Sequence, residues 1–154
     1  MKKNRKGFTL VELVIVIAIL GILALYAVPK YQGLVEEARS SQAQAQVGTV
    51  RSALGIYYAK NHGVYPATLC DTSNPPKSDL FAEGVVPQVE ATNAGGTVVR
   101  SSAVVNLTHY PIVASDYTDA GGWVYGVSLD KTQAEVRINA KGTDPVTNKA
   151  WNTF

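Results

Sequence analysis

Residues 8–28 of this 154-residue chain read FTLVELVIVIAILGILALYAV and carry one charge, Glu12. An α-helix rises about 1.5 Å per residue, so these 21 residues cover the roughly 30 Å hydrocarbon core of a bilayer. Lys2, Lys3, Arg5 and Lys6 precede the run and put that side of it on the cytoplasmic face. Glu12 is the anomaly. A carboxylate near the centre of a hydrocarbon-embedded helix costs about 2.5 to 3.5 kcal/mol, so such an acid calls for a partner. No Lys, Arg or His lies between Phe8 and Val28. The partner is therefore expected from another chain, a chain terminus or the interface, which Glu12, about one turn past Phe8, is also placed to reach.

An ordinary secretory signal would need small residues at a cleavage point after the apolar run, and Leu25-Tyr26-Ala27 is a poor one. Lys6-Gly7-Phe8-Thr9-Leu10-Val11-Glu12 instead resembles the processing motif of the type IV pilin superfamily, which includes the pseudopilins of type II secretion. The resemblance implies a leader, residues 1–7, cut by a prepilin peptidase between Gly7 and Phe8, followed by N-methylation of Phe8. It also implies that Glu12 of one subunit pairs with the freed Phe8 amine of its neighbour. Gly21 and Pro29 match the glycine and proline between which the family's helix loosens on assembly. The partners implied are identical subunits in a homopolymeric filament, the membrane before assembly, and the prepilin peptidase with its assembly machinery. The expected localisation is the inner membrane for the precursor and an extracellular pilus afterwards. A pseudopilin or minor pilin shares the same motif and stands as the alternative.

The formal charge of +2 belongs to the leader, which holds four of the 14 basic residues and none of the 12 acids. Residues 8–154 carry ten basic and twelve acidic side chains, a balance of −2 that implies no basic nucleic-acid surface. Cys70 is the only cysteine. No intrachain disulfide is possible, a departure from the many pilins that staple a carboxy-terminal loop, and Cys70 is read as a small buried hydrophobe. Packing, hydrogen bonds or a bound ion must hold the last strands instead.

From Phe8 the helical pattern runs without a strong stop to Asn61-His62-Gly63, with Gly21 and Pro29 read as its weak points and Gly63 expected to end it. Past Pro29 the pattern turns amphipathic, with Tyr31, Leu34, Val35, Ala38, Ala45, Val47, Val50, Leu54 and Tyr57 at mostly helical spacing. The first half of such a helix has nothing in its own chain to cover it. Lipid covers it before assembly and identical helices afterwards, through heterologous contacts that do not close. Turn formers crowd the next stretch, including Pro75-Pro76. Strands are expected at 84–89, 97–105, 110–114, 123–128 and 135–139, with a hairpin through Asp130-Lys131, and Trp151 and Phe154 tucked back on the sheet.

The predicted fold class is α+β: a long amino-terminal helix, hydrophobic then amphipathic, packed on a small antiparallel sheet. Its divisions are a leader at 1–7, a transmembrane and assembly helix at 8–29, an amphipathic helix at 30–61 and a globular head at 62–154. No phosphate loop, nucleophile set or metal cluster is recognisable, so neither an enzyme nor a cofactor is expected. His62 and His109 read as solvated loop residues. Asp116, Asp119, Asp130 and Asp144 match no calcium-loop spacing and read as solvated turn acids. Asn106-Leu107-Thr108 fits a glycosylation sequon in an expected turn, and chance is the reading taken.

Overall fold

A computed structural model describes residues 8–71, 73 and 75–154. The leader and Gly7, with that half of the expected cleavage site, lie outside the described residues. The chain divides into two units, the first ending at Glu36 and the second running Glu37–Phe154.

Helix α1, Leu10–Lys60, is 51 residues long and continues through Pro29. Within the second unit its buried stripe is Ser40, Ala43, Val47, Val50 and Leu54. Steps of three and four put these on one face. The expected stripe differs in its first turns: Ser40 and Ala43 are buried, whereas Ala38 and Ala45 are exposed. The helix ends as the sequence led one to expect, with one refinement. His62 takes the left-handed position (φ 57°), and Gly63 follows it at φ 82° and donates its N–H to the Tyr58 carbonyl at 3.0 Å. This closes the last turn by a six-to-one hydrogen bond.

Among the described residues the head has five short strands: β1 (Val89–Thr92), β2 (Val98–Ser101), β3 (Val104–Leu107), β4 (Trp123–Val127) and β5 (Ala134–Ile138). β1 and β2 form an antiparallel pair; β3, β4 and β5 form a second sheet in that order. The α+β class stands, with one parallel pairing, β3 on β4. The expected strand at 97–105 is two strands in different sheets, separated at Ser102-Ala103. The one expected at 84–89 begins only at Val89 and continues to Thr92. The one expected at 110–114 is not a strand. A parallel connection needs a crossover of a dozen or more residues, and this segment lies within the one that runs from the end of β3 to the start of β4. Pro111 has no N–H for a ladder, and a 3-10 turn, Ala114–Asp116, follows.

β4 is buried on both faces. Trp123, Tyr125 and Val127 face the main core with the α1 stripe, Val136, Ile138 and Trp151, whereas Val124 packs with Ile112 and Tyr117 of the crossover. The polar ends of the two β4 rings find acceptors: Trp123 Nε1 donates to the Pro87 carbonyl at 2.8 Å and Tyr125 Oη to the Pro66 carbonyl at 2.7 Å. Burial pushes the Tyr125 phenol well above its ordinary value. Cys70 is buried in the same core, and desolvation raises its thiol. The β4–β5 hairpin turns through Ser128 to Gln133 as expected, with Lys131 at φ 57°. Trp151 is 2% exposed and stacks obliquely on Phe154 at 5.7 Å between ring centres.

The four loop aspartates are turn acids, but Asp144 is not solvated. Asp116 accepts the Val113 N–H at 2.7 Å and sits 3.0 Å from His109 Nε2. The Val113 amide holds its carboxyl below the usual range. Asp119 ties two loops by accepting the Ala94 and Lys141 amides at 2.9 and 2.7 Å. Asp130 caps its own hairpin turn through Ser128 and Thr132. Asp144 is fully buried. Asn106 lies in β3 rather than in a turn, and its side-chain oxygen accepts the Leu69 amide at 2.8 Å.

Candidate assembly site at the helix start

The segment that begins α1 holds the predicted site residues Phe8 and Glu12. Phe8 is 82% exposed. Thr9 stands at the amino-terminal cap and Glu12 three residues on. Glu12 Oε2 accepts the Thr9 N–H at 2.9 Å and the Thr9 hydroxyl at 2.8 Å, while the Glu12 N–H donates to Thr9 Oγ1 at 3.2 Å. This is a reciprocal capping box, and it satisfies amides that a helix start leaves without partners. The helix dipole adds to it, since its positive end lies where the carboxylate sits.

Glu12 thus has hydrogen-bond partners in its own chain, which sequence reasoning missed. Thr9-Leu10-Val11-Glu12 carries the signal for them: a threonine followed three residues later by a glutamate ahead of an apolar run. The box meets the carboxylate's need for donors and leaves its charge uncompensated, because Phe8 to Val28 contains no basic side chain. Both bonds fall on Oε2, and among the described residues Oε1 takes no donor. Thr9→Val keeps the shape and removes the hydroxyl. It is expected to cost about 1 kcal/mol at the helix start, read as about fivefold faster exchange of the Glu12 and Leu13 amides in micelles.

Behind this cap the helix presents apolar side chains outward on every side. Leu13, Ile17, Leu20, Ile22 and Leu25 are all exposed, and an 18-residue apolar window of α1 has none of its residues buried within the chain. A helix that is hydrophobic all round is stable only when lipid or other protein covers it. Gly21 has open space around the position of a side chain, so packing within the chain does not require a glycine there. Pro29 lies inside the helix without breaking it.

Residues 2–28 match the family model described as the prokaryotic N-terminal methylation motif. Over 150 residues the chain is 33% identical to a type IV major pilin protein of Neisseria gonorrhoeae, an alignment covering 94% of this chain and 82% of that one. The chain belongs to the type IV pilin superfamily. This pilin is a structural subunit and not an enzyme. It is also 30% identical over 116 residues to a type IV major fimbrial protein of Dichelobacter nodosus, covering 75% of this pilin and 69% of that protein. A fimbrial protein of Neisseria meningitidis is 39% identical over 106 residues, covering 69% and 61%. The pilin thus spans less than two thirds of the length of some relatives it matches. No solved structure matches it.

Proposed function

We propose that the chain is a pilin precursor that a prepilin peptidase cuts between Gly7 and Phe8, that is then methylated on the Phe8 amine, and that assembly machinery in the inner membrane polymerises into an extracellular helical filament. In this reading residues 1–7 are the leader, 8–29 the membrane and assembly helix, 30–61 the amphipathic helix and 62–154 the head. The observation that carries it is the wholly exposed apolar stretch of α1 headed by a single acid. Before assembly lipid covers that stretch and the Thr9 box holds Glu12. On assembly neighbouring copies of α1 replace the lipid, and the Phe8 amine of the adjoining subunit supplies the missing positive charge. Two unit charges about 4 Å apart attract by about 4 kcal/mol at an effective dielectric of 20, similar to the cost of desolvating them. The pair therefore selects register more than it adds stability. Gly21 and Pro29 are the places where α1 loosens as subunits pack, since one lacks a side chain and the other a backbone donor.

The names of the relatives support a major pilin, serving adhesion, motility or DNA uptake. The absence of a cysteine pair favours the other reading, a type II secretion pseudopilin or minor pilin. Abundance separates them. Fibres sheared from cells, imaged and sequenced by mass spectrometry, are expected to consist chiefly of this chain beginning at methylated Phe8. Cell-bound protein that still begins at Met1, with no fibres, would overturn the reading.

A further inference from the structure

Asp144 is a fully buried carboxylate, and its hydrogen bonds come from neutral donors. Its Oδ2 accepts the Ser40 hydroxyl of α1 at 2.8 Å, 104 residues away in sequence, and the Thr147 hydroxyl at 2.6 Å. Its Oδ1 accepts the Val146 amide at 3.1 Å. Its backbone closes the same loop, donating to the Lys149 carbonyl at 2.8 Å and accepting from the Asn148 amide at 2.9 Å. The adjoining residues are seated by it: Gly142 lies against the Thr92 and Asn93 carbonyls and accepts the Trp151 amide at 3.0 Å. We propose that residues 141–154 form a strap, closed on α1 by Asp144 in place of a covalent staple and released by acid.

The charged groups nearby do not neutralise it. Arg39, one residue from Ser40, is 3.4 Å from Glu90 of β1, which also meets Arg100 at 3.6 Å. Asp119 holds the Lys141 amide. Arg137 of β5 pairs with Glu135 and donates to the Asn152 carbonyl at 3.0 Å. Lys141 and Lys149 of the strap are exposed. Among the described residues none of these forms an ion pair with Asp144. Hydrogen bonds to a charged acceptor are about twice as strong as neutral ones, so protonation weakens the bonds from Ser40, Thr147 and Val146 by which the Asp144 carboxylate closes the strap. Burial pushes the carboxyl up, but the donors from Thr147, Ser40 and the Val146 and Thr147 amides outweigh it and hold Asp144 below the usual range. The closed strap is therefore fully favoured above the ordinary aspartate range and loses that advantage as pH falls toward the lowered value. The buried side chains of β4 beneath it, Trp123, Val124, Tyr125 and Val127, include no acid that titrates in this range.

The test is amide hydrogen exchange of the full chain in detergent micelles from pH 6 to pH 2, expressed as protection corrected for intrinsic rates. Protection of residues 141–154 is expected to hold down to about pH 4 and then fall by up to tenfold per pH unit, while β4 and β5 stay protected. Asp144→Asn should lower strap protection at least tenfold at pH 6 and abolish the slope. Ser40→Ala, which leaves the carboxylate in place, should weaken the strap several-fold and keep the slope. A flat profile in the unaltered chain, loss only together with β4 and β5, or a slope surviving in Asp144→Asn would overturn the proposal. If Asp144→Asn does not fold, strap protection in Ser40→Ala equal to that of the unaltered chain would overturn it as well.

Discussion

Replacing Glu12 by alanine is expected to leave the precursor inserted and trimmed as usual while cutting filament yield at least tenfold. The substitution removes the cost of an acid in hydrocarbon, about 2.5 to 3.5 kcal/mol, so insertion should not suffer. It also removes the capping box, worth about 1 kcal/mol at the helix start, and the charge that the adjoining Phe8 amine would meet. Alanine alone does not separate the last two losses. Glu12→Gln does, because glutamine serves a capping box as well as glutamate and lacks the charge. If charge pairing selects register, Glu12→Gln should fail to assemble like Glu12→Ala, while its helix-start amides exchange as slowly as in the unaltered chain. Comparing sheared and membrane-bound fractions by quantitative blotting gives both yields. Normal fibre from Glu12→Gln would sink the pairing and leave Thr9 as what Glu12 serves.

The boundaries of α1, the stripe from Val47 to Leu54 and the β4–β5 hairpin were legible because each rests on local periodicity or turn chemistry. The sheet order was not. β3 pairs in parallel with β4 across a crossover, and the apolar residues of that crossover, Tyr110, Ile112 and Val113, follow strand-like spacing because Ile112 also packs on the sheet. Periodicity reports that a residue is buried and not which partner buries it. The single strand expected at 97–105 failed for a related reason. At the break the Ser101 hydroxyl accepts the Ala103 amide at 3.0 Å, a local bond that competes with the ladder, and the Ala103 carbonyl accepts the Trp123 amide at 2.8 Å; Ser101-Ser102 was a weak turn signal inside an otherwise strand-like run.

At the helix start the lone charge of Glu12 was legible, and its hydrogen-bond geometry only partly. Reasoning from the missing cation led to a partner in another chain, whereas the local fourfold pattern of Thr9 to Glu12 already contained the hydrogen bonds. Asp144 was the hardest to read. Among four loop aspartates of similar composition nothing marks the one that meets Ser40, since a contact across 104 residues leaves no trace in spacing. The single cysteine did state the need: with no disulfide available, something else had to hold the last segment.

Gly122→Ala is expected to be among the most damaging one-methyl changes in the head. Gly122 immediately precedes β4 at φ +78°, where an alanine is strained by about 1 to 2 kcal/mol. A Cβ there would also stand 2.2 Å from the Ala103 carbonyl oxygen, with the Ala103 carbon and nitrogen at 3.0 Å. The oxygen cannot simply withdraw, because it accepts the Trp123 amide, and the Gly122 carbonyl in turn accepts the Asn139 amide at 2.9 Å. Relieving the clash means parting backbone that binds the ends of β3, β4 and β5 together, beside the fully buried Trp123. Strain and overpacking together should cost about 3 kcal/mol or more, a large share of the 5 to 15 kcal/mol typical of a whole domain. Thermal unfolding of the detergent-solubilised chain, followed by circular dichroism, should show a midpoint lower by about 10 °C. Gly48→Ala is the matched control: it lies inside α1 with nothing within 4 Å of the added carbon, and should gain up to about 1 kcal/mol from helix propensity. Equal midpoints for the two variants would show that the junction at Gly122 yields, and that the close approach of β3 to β4 is not what fixes the sheet.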